Sequence, residues 1–260
     1  MGDTVHLESL SWKAIEELQS SGVSMLILPL GATEQHGPHL PINTDTVIAS
    51  RICAYASAAT QIPVLPPISF TVSTGHTTKW PGTFSLRHET LIQVLGDIVD
   101  WTVATGWNRL LIVNSHFGND ASLRVAVDKL RLRHLGKLQI AGLNTFTLSP
   151  EIWDEFTKDA EDLHANKSET DLMLHLAPET VRMDMVEDDP DRTTDTIFSY
   201  PVAQTSKNGI TGKPSEGNAE DGERLFRKMG DRLAELVTQA KTETPPLDSK
   251  FWNNLSPINI

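Results

Sequence analysis

The stretch that most constrains this chain is residues 26–46, LILPLGATEQHGPHLPINTDT. It opens as an apolar run of strand length and breaks at Gly31 into a loop carrying Glu34, His36, His39 and Asp45. A short apolar run ending in a polar loop reads as a buried strand, and open α/β sheets place their chemistry at the carboxyl ends of such strands. All four side chains are ordinary ligands for a divalent metal. The Glu-x-His spacing puts both side chains on one side of an extended segment, because side chains there alternate with period two. Asp45 stands at the start of a helical pattern over 45–59. Taken alone, the segment also fits a plainer account, with Asp45 as a helix N-cap and His36 as a satisfied loop histidine.

The same arrangement recurs. RLLIVN, residues 109–114, is a second buried strand, and it runs into Ser115, His116, Phe117, Gly118 and Asn119 before a helix over 120–134. Two such units predict parallel strands with right-handed crossovers. They would bring His116 and the Glu34 loop to one edge of the sheet. Residues 138–146 are a third strand. Helices are expected over 11–20 with Ser11 as cap, over 87–105, over 169–176 with Ser168 as cap, and over 222–241. Val64-Leu65-Pro66-Pro67 reads as a short strand cut by prolines. Residues 71–86 form a turn-rich stretch with His76, of the kind that covers a site. Residues 147–163 are helical or irregular, and 184–220 are a long loop or hairpin region. No repeat or clean linker interrupts the pattern, so one domain over 1–260 is expected.

Composition removes several classes of function. The chain has 260 residues with a net charge of −12, which argues against a nucleic-acid footprint. The basic cluster Arg124, Lys129, Arg131 and Arg133 is the solvated face of one helix. No apolar run approaches the ~20 residues needed to span a bilayer, and the N-terminus has no apolar signal core. A single cysteine, Cys53, cannot form an internal disulfide, so a reducing, cytoplasmic setting is expected. The sequons at Asn166 and Asn254 then carry no meaning.

Collected from the predicted sheet ends, Glu34, His36, Asp45, His116 and Glu169 make two imidazoles and three carboxylates, with His164 close by. That is too acidic for one structural zinc, and it suits two divalent ions ~3.5–4 Å apart with one carboxylate bridging. Without cysteine in the set, Zn²⁺ or Mn²⁺ are the expected occupants. His164 would be the proton shuttle to a leaving group. Glu169 also fits a carboxylate that only complements a helix dipole, and His76 a solvated loop histidine.

These residues stand in an order that resembles the creatininase (creatinine amidohydrolase) family. The resemblance is carried by Gly31-Ala32-Thr33-Glu34-Gln35-His36-Gly37-Pro38-His39-Leu40-Pro41 with Asp45, then His76 and Pro81-Gly82-Thr83, then Asn114-Ser115-His116-Phe117-Gly118-Asn119. His164-Ala165, Glu169-Thr170 and Gly209-Ile210-Thr211-Gly212 complete it. It implies a three-layer α/β/α sandwich with a mostly parallel central sheet, assembled as a homo-oligomer, with a hexamer favoured. It implies a binuclear metal site that hydrolyses C–N bonds of small amides through a hydroxide bridging the two metals. Carried over by motif, Glu34 and His116 would hold one metal, His36 and Glu169 the other, and Asp45 would bridge. His164 would be catalytic, and His76, Ser115 and Phe117 would line the substrate pocket. The chain departs from creatininase itself at Gly118, where that enzyme has an acidic residue. It departs again at Ser115, where it has glycine, and over 158–163, where a tryptophan is missing. Most of the metal platform is thus kept and the creatinine-recognising part is not. Relatives on this platform open oxidised cyclitols or deformylate formamides, and a non-catalytic binding protein could also keep the fold.

Overall fold

Three parallel strands form one sheet in sequence order: β1 Met25–Leu30, β2 Arg109–Asn114 and β3 Gln139–Asn144. This computed structural model describes residues 2–252 and 255–258, so Asn254 of the second sequon lies outside the described residues. The register aligns Leu30 with Asn114 and Asn114 with Asn144, so all three strands end in one row. The loops after Leu30, Asn114 and Asn144 therefore open on the same edge.

Period-two alternation divides the core. Met25, Ile27, Leu111 and Val113 face one apolar layer, and Leu26, Leu28, Leu30, Leu110 and Ile112 face another. The helices are α1 Trp12–Ser20, α2 Thr44–Thr60, α3 His88–Ala104, α4 Asp120–Arg133, α5 Pro150–Phe156, α6 Lys167–Leu176, α7 Val202–Thr205 and α8 Ala219–Ala240. Ile48 and Ile52 of α2, Leu172 of α6 and Met229, Leu233 and Val237 of α8 fill the first layer. Leu91, Leu95 and Val99 of α3 and Leu123, Ala126 and Leu130 of α4 fill the second, with Ile15 and Leu18 of α1 against it. A sheet buried on both faces needs near-continuous apolar strands, as MLILPL and the LLIV of RLLIVN are. The result is the three-layer α/β/α sandwich expected.

Several boundaries differ from the expectation. The strand over 138–146 ends at Asn144 because Thr145–Thr147 turns into a short 3-10 helix. Val64 makes only isolated bridges, to His6 and Ile27. Pro63, Pro66 and Pro67 beside it have no N–H to pair. α6 starts before Glu169: its cap is Asn166, whose Oδ1 accepts from the Glu169 N–H at 3.2 Å, whereas Ser168 is inside the helix and its hydroxyl donates to Glu155 O. The region 184–220 is ordered without being a hairpin. Its anchor is Asp189, 3% exposed, which accepts from the Arg192 guanidinium, the Ser206 hydroxyl and the Lys207 N–H. Among the described residues no helix is long and apolar enough to cross a membrane.

A candidate metal centre at the strand ends

The loop after β1 is held open as a rigid arch. Glu34 N–H donates to Ile42 O at 2.9 Å, and Gly31 O accepts from Thr71 Oγ1 and Asn119 Nδ2. Gly31 packs so tightly on α2 that a Cβ there would lie 2.4 Å from Thr46 Cα. Glu34 and His36 consequently project to the same side, as their spacing predicted. Asp45 sits in the first turn of α2, where the cap position belongs to Asn43. The N-cap account of Asp45 is thereby set aside: its carboxylate faces the centre instead.

Four segments converge there. Asp45 Oδ1 lies 3.5 Å from His36 Nε2, and Asp45 Oδ2 lies 3.4 Å from His116 Nδ1. Glu34 Oε1 is 3.2 Å from His116 Nδ1, and Glu169 Oε1 is 3.9 Å from His36 Nε2. Donor atoms of Glu34, Asp45 and His116 fall within 4.8 Å of one another, as do those of His36, Asp45 and Glu169. Asp45 is common to both groups. A further group joins Glu34, His36 and His164.

Each imidazole is oriented from behind. His36 Nδ1 donates to Glu34 O at 3.1 Å, and His116 Nε2 donates to Val72 O at 2.8 Å. In each ring the other nitrogen faces the carboxylates, the usual support of a metal-binding histidine. Asn114 fixes the turn after β2 by donating to His116 O and accepting from His116 N–H. Gly118 has no room for any side chain: a Cβ would lie 2.4 Å from both His116 Nε2 and Val72 O. The carboxylate beside His36 is supplied by Glu169 from the first turn of α6.

The centre is buried and electrostatically strained. Glu34, His36 and Asp45 are at most 2% exposed. Among the described residues no hydrogen-bond partner reaches Glu34 Oε2, His36 Nε2, Asp45 Oδ2 or Glu169 Oε2. His76 Nε2 is 3.2 Å from Glu34 Oε2 but is not aligned as a hydrogen bond. Burial opposes charging of His36, yet the carboxylates of Asp45, Glu169 and Glu34 outweigh it and raise its pKa to about 10. The same balance, with Glu34 and Asp45, raises His116 to about 9. Burial raises Glu169 to about 7, with His36 opposing and Asp45 and Glu34 assisting. Orphaned carboxylate oxygens crowded around the inward nitrogens of two histidines are what a divalent cation would satisfy.

A cavity of about 220 Å³ opens above the carboxylates, lined among others by His76, His88, Phe117, Asp162, His164 and Val202. Phe117 stacks on Phe146 with ring centroids 3.9 Å apart. Among the described residues no lysine or arginine lines the cavity. His164 donates from Nε2 to Gln35 O at 2.7 Å and turns Nδ1 toward Glu34 Oε1 at 3.8 Å. Ala165 follows in the left-handed region at φ +49°, fully buried.

One expected pocket residue lies elsewhere. Ser115 does not line the cavity; its hydroxyl pairs with Thr145 Oγ1 at 2.9 Å, because successive side chains leave the strand on opposite faces. His39 is buried outside the donor groups, with Nε2 2.9 Å from Thr170 Oγ1. Burial, with His36 nearby, lowers it to about 4. His88 and Gln35 also belong to this site without a local signal, His88 following an ordinary arginine at the start of α3 and Gln35 meeting partners far away in sequence.

Residues 8–237 match the family model Creatininase, described as creatinine amidohydrolase. The chain is 28% identical to the creatinine amidohydrolase of Pseudomonas putida over 95% of this chain and 100% of that protein. It is 32% identical to a mycofactocin precursor peptide peptidase of Mycolicibacterium smegmatis, covering 84% of this chain and 85% of that protein. A 3-dehydro-scyllo-inosose hydrolase of Thermotoga maritima is 26% identical over 93% of this chain and 85% of that protein. The fold superposes on a solved structure named "Creatininase Mn" with a TM-score of 0.79 and 25% identity, covering 92% of this chain and 100% of that one.

Proposed function

This chain belongs to the creatininase family, and on that premise we propose that it is a metal-dependent hydrolase cleaving a C–N bond of a small amide, linear or cyclic. The observation that carries the reading is the pair of buried donor groups sharing Asp45, with unpartnered atoms of four side chains turned into them. Glu34, Asp45 and His116 would hold one divalent cation, and His36, Asp45 and Glu169 the other, with Asp45 bridging. Zinc and manganese suit this oxygen and imidazole set. When bound, two such cations supply Lewis acidity and make water a nucleophile near neutral pH.

The remaining work falls to the chain. His164 presents Nδ1 to the centre and carries a proton from the attacking water to the departing nitrogen. Burial, with the imidazoles of His76 and His36, holds its pKa well below the usual histidine range, which keeps Nδ1 free to accept. His76 steadies Glu34 and the substrate from the rim, and Phe117 offers the substrate an apolar wall backed by Phe146. The cavity of about 220 Å³ is smaller than the ~300–1,000 Å³ of drug-sized sites, which favours a small substrate or the end of a larger one.

Opening of an oxidised cyclitol or lactone ring is the second reading, favoured by the inosose hydrolase relative. Formamide deformylation is a variant of the first. A catalytically idle protein would be free to lose part of the centre, and here all of it is present. The same reading takes the chain as one cytoplasmic domain acting in a homo-oligomer of six copies. The outer edge of β3, unpaired among the described residues, and the exposure of Ile197 (93%) and Phe198 (73%) favour assembly. Size-exclusion chromatography measures that. The test of function is metal analysis of purified protein followed by a screen of small amides, cyclic ureides and cyclitol ketones with Zn²⁺ or Mn²⁺. Release of amine or ammonia is expected; ring-opened acid without nitrogen release would favour the second reading, and no bound metal would remove both.

A further inference from the structure

We propose that Gln35 is a positioning residue that sets the tautomers of His76 and His164, so that one ring turns an N–H and the other a bare nitrogen toward the centre. Gln35 lies between Glu34 and His36 and is 4% exposed. Its Oε1 accepts from the Gly37 N–H at 2.9 Å. Its Nε2 lies 2.9 Å from His76 Nδ1, 3.1 Å from Gly209 O and 3.1 Å from His164 Nε2. A primary amide has only two hydrogens for these three neighbours.

The hydrogen count decides between them. His164 Nε2 is also 2.7 Å from the main-chain oxygen of Gln35, which can only accept. His164 Nε2 therefore carries its ring hydrogen and cannot accept another. The two amide hydrogens go to His76 Nδ1 and Gly209 O, and every polar atom of Gln35 is then used. Reversing the amide would set Oε1 against the Gly209 carbonyl and an NH₂ against the Gly37 N–H, so the orientation is determined as well.

Both rings follow from this. His76 accepts at Nδ1, so its hydrogen sits on Nε2, 3.2 Å from Glu34 Oε2. His164 holds its hydrogen on Nε2, leaving Nδ1 bare, 3.8 Å from Glu34 Oε1. The rings are in the same tautomer, with centroids 4.3 Å apart, but they present opposite ends to the centre. The contact also constrains Gly209: at φ +85° a Cβ would lie 2.1 Å from Gln35 Oε1. Gly209 N–H in turn donates to Ser206 Oγ, and Ser206 donates to Asp189, so the amide ties the 184–220 segment to the centre.

The use of His164 as proton carrier rests on the proposed function; the tautomers rest on hydrogen-bond accounting alone. The test is a long-range nitrogen–proton NMR correlation on zinc-loaded protein labelled at histidine nitrogen, which reads the hydrogen position in each ring. Wild type is expected to show Nε2–H in both His76 and His164. In Gln35→Glu, a side chain without an N–H, His76 should take a hydrogen on Nδ1 while His164 keeps Nε2–H. Zinc content should hold, and kcat on an amide substrate should fall ~10–100-fold with KM nearly unchanged. Gln35→Met should release His76 to a mixture of tautomers with zinc retained, which carries the test if the glutamate variant folds poorly. Nδ1–H on His76 in wild type, an unchanged His76 in both variants, or loss of zinc in both would overturn the proposal. If no amide is turned over by wild type, the proposed function fails while the NMR result still decides this one.

Discussion

Oδ2 of Asp45 lies 3.4 Å from Nδ1 of His116, and among the described residues no hydrogen-bond partner reaches that oxygen. The other oxygen of the same carboxylate lies 3.5 Å from His36 Nε2. One side chain thus spans two imidazoles, each of which donates from its far nitrogen, His116 to Val72 O and His36 to Glu34 O. Replacing that carboxylate should therefore affect both halves of the centre together. Asp45→Asn keeps the volume but leaves one acceptor oxygen and no charge. Both cations should be lost and turnover should drop to background, with folding retained by circular dichroism. A variant that keeps one metal per chain would show that Asp45 does not bridge.

His164→Ala separates proton transfer from metal binding. Metal content should be unchanged while kcat falls by ~10²–10⁴. The donor atoms of His164 also lie within 4.8 Å of those of Glu34 and His36, so metal loss in this variant would reassign His164 as a ligand.

Gly118→Ala tests the backbone behind His116. The added methyl would fall 2.4 Å from His116 Nε2 and from Val72 O, two atoms joined by a 2.8 Å hydrogen bond. Zinc affinity should fall ~10–100-fold by competition titration. Thermal unfolding should report a loss of ~1–3 kcal/mol. Unaltered affinity would mean that the turn adjusts freely.

Removing the metal should make stability depend on pH. In the stripped chain His36 is raised to about 10 and His116 to about 9, both above the ~6.5 of an unfolded histidine. Glu169 is raised to about 7, above the ~4.3 of an unfolded glutamate. The folded state then binds more protons than the unfolded one, so this stabilisation is complete at low pH. It is lost as pH rises through about 7 for Glu169 and through about 9 to about 10 for the histidines. The Tm of chelator-treated protein should fall by several degrees between about pH 7.5 and pH 10, above the ~6.5 at which His39, His76 and His164, all lowered in the folded chain, titrate when unfolded. Metal-loaded protein, whose histidines are already deprotonated, should not follow it. A flat curve for the stripped protein would contradict the strained cluster.

The parts of this molecule that can be read one-dimensionally are those set by local rules. RLLIVN has an unbroken apolar centre, Leu110 to Val113, and is bounded by a turn and a polar elbow, and β2 occupies those residues. Glu34, His36, Asp45 and His116 could be anticipated because each closes or follows a strand, where parallel register brings chain ends together. Local rules fail where a choice depends on neighbours remote in the chain. Ser168 and Asn166 are both competent caps, and Asn166 prevails because its Nδ2 is also held by Phe156 O and Asp159. Ser115 sits one residue from His116 yet faces Thr145, a matter of strand facing that the motif does not encode. Gln35 acquires its role only where His76, His164 and Gly209 meet.

Ala165 carries a consequence for how this centre can change over time. Its methyl group occupies a backbone shape that glycine adopts freely and alanine resists by roughly 1–2 kcal/mol. Exchange to glycine would ease that local tension, yet it would also widen the arc swept by the neighbouring imidazole. Drift toward the more comfortable residue would then be opposed by the need for an aim that does not wander.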